Sequence, residues 1–213
     1  MEELTIGKSN VGNRNEPDNT ILLVEILLWL YERRTLLKVK RLVVTAMYHE
    51  LMRPIIMRLD PRYLERLEDR EPTGTVEIVE IVESEQWKGL KEVKFLKEVA
   101  KKDLRYLLGV PTASFTMTRI DREDLMLIKQ TFTSLRTFIQ YDIHLDTPIL
   151  QRAIDFLREA HIDRIDNLRR EWYFYIPGNH NDVVQVSLIL THARITFKRM
   201  KWASVPEGAI VVE

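Results

Sequence analysis

Apolar positions cluster into long blocks along this chain. The first runs from Ile21 to Tyr31, broken only by Glu25, and flows into a basic stretch with no Gly or Pro before Pro54. The pattern predicts one helix over residues 20–59, capped by Asp18 or Asn19 and ended or kinked at Pro54; the about 33 residues before that proline, at about 1.5 Å each, would reach about 50 Å. Residues 1–19 hold Gly7, Gly12, Pro17 and several Asn without periodicity, so an extended arm is expected there. Asp60-Pro61 restarts a short helix through Arg70, with Tyr63, Leu64 and Leu67 on its apolar side.

Farther along, the β-branched segment 75–83 reads as an edge strand protected by Glu77, Glu80 and Glu83. Val93, Leu96, Ala100, Leu104 and Leu107 recur at three and four, which predicts a helix over 84–108 with a lysine face opposite. Asp121 caps another, striped by Leu125, Ile128, Phe132, Leu135 and Ile139 and ending near His144. Thr147-Pro148 opens a heptad-like seam through Leu150, Ile154, Leu157, His161, Ile165, Leu168 and Trp172, which calls for a partner helix. From Trp172 the character changes: aromatic and β-branched runs flank a turn at 177–182, a β-hairpin pattern, although 183–200 also fits a buried helix. Residues 209–212 suit a short edge strand, and no sequence repeat stands out. The expected fold is mainly α. A helical bundle over 20–171 is organised on the long N-terminal helix, with an arm before it, a small β element at about 75–83 and β-hairpin character from 172 onward.

Composition narrows the chemistry. The 213 residues are 45% hydrophobic, enough for a sizeable core, and 32 Lys+Arg balance 32 Asp+Glu, so no global field favours an anionic partner. The absence of cysteine removes disulfides, thiolate nucleophiles and thiolate zinc sites. High charge with few labile residues leans toward a thermophilic source. No signal-peptide pattern opens the chain, and the apolar block of about 11 residues is short of the roughly 20 needed for a span, so an intracellular or virion location is expected.

The segment Tyr175-Ile176-Pro177-Gly178-Asn179-His180-Asn181-Asp182 resembles the strand-then-loop of the calcineurin-like metallophosphoesterases, in which a Gly-Asn-His loop places an Asn on a bridging metal. The Asp-x-His loop early in the chain, the Gly-Asp-x-x-Asp loop before the Gly-Asn-His and the later Gly-His-x-His loop that such an enzyme also needs are missing. The five histidines form no pair at metal-binding spacing, and no glycine pattern makes a phosphate loop. No catalytic residue, metal ligand or cofactor is therefore expected.

What remains is basic. Arg33, Arg34, Lys38, Lys40 and Arg41 stand together without an acid; Lys91, Lys94, Lys97 and Lys101 line the next predicted helix; Arg169 and Arg170 lead into aromatics. These eleven cations are the candidate nucleic-acid contacts, holding backbone phosphates without reading sequence. Together with the seam they suggest a self-associating, non-enzymatic protein that coats nucleic acid, such as a nucleocapsid or coat subunit of a thermophile's virus. The alternative is a helical adaptor of a larger complex without nucleic acid, and a further one is the metal-dependent phosphoesterase.

Overall fold

The computed structural model describes residues 1–7, 32, 35–45, 52–76, 78–147, 161–163 and 169–212. The protein is mostly β, not a helical bundle. Its elements are β1 (Glu3–Gly7), β2 (Arg41–Thr45), α1 (Met52–Ile56), β3 (Arg66–Asp69), β4 (Thr75–Val76), α2 (Glu85–Lys88), β5 (Glu92–Val99), α3 (Leu104–Leu107), β6 (Thr112–Met117), α4 (Arg122–Ser134), β7 (Gln140–Leu145), β8 (His161–Asp163), β9 (Arg169–Ile176), β10 (Asn179–Ile189), β11 (Arg194–Lys201) and β12 (Val211–Val212). They fall into two compact units, Met1–Lys97 and Glu98–Glu213.

In the first unit β1, β2, β3 and β5 pair side by side, all parallel, with Glu3, Arg41, Arg66 and Glu92 in one rung and Leu4, Leu42, Leu67 and Val93 in the next. The turns are entered alike. Glu65 and Arg66 both donate their N–H to the Lys40 carbonyl, and Lys91 and Glu92 both donate to the Glu65 carbonyl. The cause is a repeated frame, apolar-x-x-apolar-x-apolar: Val39, Leu42 and Val44, then Leu64, Leu67 and Asp69, then Leu90, Val93 and Phe95, every one of them buried. Leucine-rich solenoids use this frame with a period of about 25 residues, because each turn can bury its apolar side only against its neighbours. Asp69 is the exception to the frame, and Lys97, inward on β5, answers it at 3.5 Å. Gly89 closes α2 where a side chain would be crowded, since a Cβ there would lie 3.0 Å from the Pro61 carbonyl oxygen.

The second unit repeats the frame at Val110, Ala113 and Phe115 and at Phe138, Tyr141 and Ile143. Here β6 and β7 are parallel with α4 between them in the chain, and β7, β11, β10 and β9 follow antiparallel, with β12 parallel to β9 and β8 antiparallel to it. Phe132 of α4 meets Phe138, Tyr141 and Phe197 with ring centroids 5.1–5.8 Å apart. The Arg199 guanidinium caps the end of α4, donating to the carbonyls of Phe132, Leu135 and Arg136 at 2.7–3.0 Å. That cation sits where the helix's last acceptors would lack partners.

Several expectations are corrected. The long helix of 20–59 fails at Arg41–Thr45, which is strand; its apolar block 21–31 lies outside the described residues. The residues expected as an extended arm supply β1, while 8–19 lie outside the description. Tyr63, Leu64 and Leu67 belong to a turn and β3, not a helix. Within 84–108 only Glu85–Lys88 and Leu104–Leu107 are α-helical, and of the lysine face only Lys94, outward, and Lys97, inward, fall on β5, whose residues alternate; Lys91 precedes the strand and Lys101 follows it. The predicted strand 75–83 shrinks to Thr75–Val76. The helix capped by Asp121 is present, with a reciprocal capping box to Asp124, but stops at Ser134, leaving Leu135 and Ile139 exposed. Of the seam, His161 and Trp172 lie on strands, and 148–160 and 164–168 lie outside the description. The hairpin and the short terminal strand are present as β9–β10 and β12.

Candidate functional site

Parallel strands paired in register stack their outward side chains in rows. On the first unit this face carries charge of both signs, and Glu68 is its hub. Although 7% exposed, Glu68 accepts from Arg41, from Arg70 Nε at 2.9 Å, and faces Lys94 Nζ at 3.7 Å. Arg41 also reaches Glu3 at 2.9 Å, and Arg66 Nε lies 3.2 Å from Glu92. At the strand entrances Glu65 holds Lys91 closely and Lys40 at 3.8 Å. Burial pushes the Glu68 carboxyl up, but hydrogen bonds from Arg70 and Arg41 outweigh it and hold it at about 2. Hydrogen bonds from the Arg62 side chain likewise hold Asp60 at about 2.

Both carboxyls titrate lower in the folded chain than in the unfolded one. Their stabilisation is therefore complete above pH about 4.5, the ordinary carboxylate range, and is lost as pH falls toward 2. A thermal-denaturation series from pH 7 to 2 is expected to show the melting temperature falling mainly below pH 4.5, with the acid-side fall shallower in Glu68→Gln. A melting temperature of wild type that is flat down to pH 2.5 would contradict these pairings.

The second unit has its own polar rung. Asp142 accepts from Gln140 at 2.7 Å and Thr196 at 2.7 Å and pairs with Arg194 at 2.8 Å. Glu171, 3% exposed, accepts from Tyr173 Oη at 2.7 Å and pairs with Arg169 at 2.7 Å.

Of the eleven cations singled out from the sequence, the structure gathers Lys40, Arg41, Lys91 and Lys94 with the strands of the first unit, all matched to carboxylates. Lys38 lies just before them, its Nζ 5.2 Å from the Tyr63 ring centroid. Lys97 is not on the surface: it is 6% exposed and buried with Asp69. Lys101 holds Asp121 and, at 3.4 Å, Asp124. Arg169 pairs with Glu171, Arg170 stands opposite Leu188 in β10, and Arg33 and Arg34 lie outside the described residues. The acids Glu3, Glu65, Glu68 and Glu92 escaped the sequence reading; the recurring apolar-x-x-apolar-x-apolar frame is the signal that places them among the cations.

The Gly-Asn-His segment is the tip of the β9–β10 hairpin, with Gly178 at φ +71°. Asn179 Oδ1 accepts the N–H of Asn181 and Asp182, its amide donates to Asp182 at 2.9 Å, and His180 Nδ1 lies 3.1 Å from Tyr175 Oη. Those polar atoms are spent on the turn itself. Among the described residues no group of three His, Asp or Glu is arranged to hold a metal, and no helix is long and apolar enough to cross a membrane.

No curated protein and no solved structure matches the chain. A family model does, that of the FTH domain, over residues 23–158. The match covers more than half of the 213 residues and takes in β2 through β7, so the chain belongs to the FTH domain family.

Proposed function

We propose that this protein is a non-enzymatic adaptor that recognises a protein partner through the outward charged face of β2, β3 and β5. The observation that carries the reading is the mosaic itself: Arg41, Arg66, Arg70 and Lys94 interleaved with Glu3, Glu68 and Glu92 on strands fixed by their ladder. A surface patterned in both signs favours one complementary partner and repels mismatched ones, whereas a phosphate backbone asks for cations of a single sign. Coating nucleic acid would require Lys40, Arg41, Lys91, Lys94 and Lys101 to give up carboxylates they already hold.

The test is affinity capture from the source cells with wild type and with the Arg66→Glu, Lys94→Glu double variant, each with and without nuclease. Both positions are about half exposed, so the fold is expected to survive, and circular dichroism checks it. A partner that resists nuclease and is lost from the folded variant supports the adaptor. Capture abolished by nuclease would restore the nucleic-acid reading, and capture unchanged in the variant would remove this face from the function.

A further inference from the structure

Beside the mosaic, at the entrance to β2 and β3, lies a cleft of about 410 Å³ lined by Met1, Glu2, Lys38, Lys40, Arg62, Tyr63 and Glu65, with the Met1 ammonium donating to the Lys38 carbonyl at 3.1 Å. Its charges are unequally satisfied. Arg62 grips Asp60 with Nε at 3.0 Å and Nη2 at 2.7 Å, engaging two of the five N–H donors that a guanidinium carries. Glu65 is held closely by Lys91 from outside the cleft, and its contact with Lys40, at 3.8 Å, is near the outer limit of an ion pair. Among the described residues no carboxylate lies within ion-pair distance of Lys38, whose ammonium stands over the Tyr63 ring instead. Tyr63 is itself 43% exposed. Two lysines held loosely and an arginine with donors to spare thus surround an exposed aromatic surface.

We propose that this cleft is an anion-recognition subsite that takes a phosphorylated side chain of the protein partner. Lys38 and Lys40 would supply point charges, Arg62 directional hydrogen bonds to the phosphoryl oxygens, and the Tyr63 ring a surface for the side-chain stem. Lys40 can leave Glu65 at little cost, because Lys91 keeps that carboxylate paired. Asp60 keeps Arg62 oriented, and a phosphomonoester, carrying nearly two negative charges at neutral pH, competes for the remaining donors better than a carboxylate would. The proposal rests on the adaptor reading for the identity of the ligand's carrier, but its test needs no partner.

The test is a titration of the isotope-labelled full chain, followed by amide chemical shifts, with N-acetyl-phosphoserine amide, N-acetyl-glutamate amide and inorganic phosphate at constant ionic strength. Saturable shifts at Lys38, Lys40 and Tyr63 with the phosphoserine probe are expected. Binding should be at least about tenfold weaker for the glutamate probe and for Lys38→Gln combined with Lys40→Gln, the loss that removing charge-assisted contacts predicts. Arg62→Gln should weaken it too, while Lys102→Gln, outside the cleft, should leave it unchanged. The spectra themselves report whether each variant is folded. No saturable shift at 20-fold excess over millimolar affinity, equal binding by the double variant, or inorganic phosphate binding as tightly as phosphoserine would each overturn the proposal. If partner capture then still depended on Arg66 and Lys94, the subsite alone would have failed and the adaptor reading would stand.

Discussion

Replacing Lys97 by Met is expected to destabilise the protein by about 3–5 kcal/mol, the cost of leaving a buried charge without its counter-ion. The Asp69 side chain is 1% exposed and that of Lys97 7%, with 3.5 Å between Nζ and Oδ2. Asp69 Oδ1 accepts the Glu71 N–H at 2.9 Å, while Oδ2 has no hydrogen-bond partner and is compensated by the lysine charge it faces. Burial pushes the Asp69 carboxyl above its ordinary range against the pull of that N–H and of Lys97. Without Lys97 the site can be neutralised only by taking up a proton, so the variant should recover part of its loss at pH 4–5, where wild type gains little. The double variant Asp69→Leu, Lys97→Met should lie within about 2 kcal/mol of wild type or above it, since an apolar pair of similar volume often replaces a buried ion pair without loss. Urea denaturation of the three variants at pH 7 and pH 4.5 reads all of this. A Lys97→Met loss under 1 kcal/mol would mean that the pair is solvated.

Phe132→Ala should cost a similar amount, about 3–5 kcal/mol, through a different mechanism. The ring is fully buried where α4 meets β7 and β11, and its removal opens a cavity facing Phe138, Tyr141 and Phe197, the last two paired with each other across strands that cannot move inward without breaking their ladder. Phe132→Leu, which retains most of the volume, should lose less than half as much. Hydrogen exchange provides the local readout: amides of β7 and β11 should lose protection in Phe132→Ala. If they keep it while the global midpoint falls, the packing described for this helix is wrong.

Why the sequence suggested helices where strands stand can be traced to the frame. Its first step is three residues, Leu64 to Leu67 and Leu90 to Val93, the spacing of neighbours on a helix face. On β5 the alternation of Val93, Phe95, Lys97 and Val99 was broken by Lys97, a charge that belongs inside because Asp69 awaits it. Long-range pairing of that kind leaves no local trace. The uneven length of the turns hid the repeat for the same reason. Local chemistry was legible where it decided the structure: Asp121 marked the start of α4, and the turn-forming residues from Pro177 to Asp182 marked the hairpin. The cations of the candidate face were legible as residues, but their partners were not. Glu65 and Glu68 sit more than twenty positions from the lysines and arginine they meet across the ladder.

The repeated frame also bears on how such a chain can change over generations. In each turn the three frame positions satisfy the interior, and of the x positions on the strands Arg41, Arg66, Glu92 and Lys94 reach solvent, whereas Val43 and Glu68 are buried. Selection for stability therefore acts on one set of codons and selection for a partner on another, interleaved but separable. Reversing the sign of one outward residue rewrites a square of the mosaic and leaves the ladder beneath it intact. A lineage carrying this frame can exchange partners by single substitutions, and duplicated copies can diverge in what they recognise while remaining alike in how they fold.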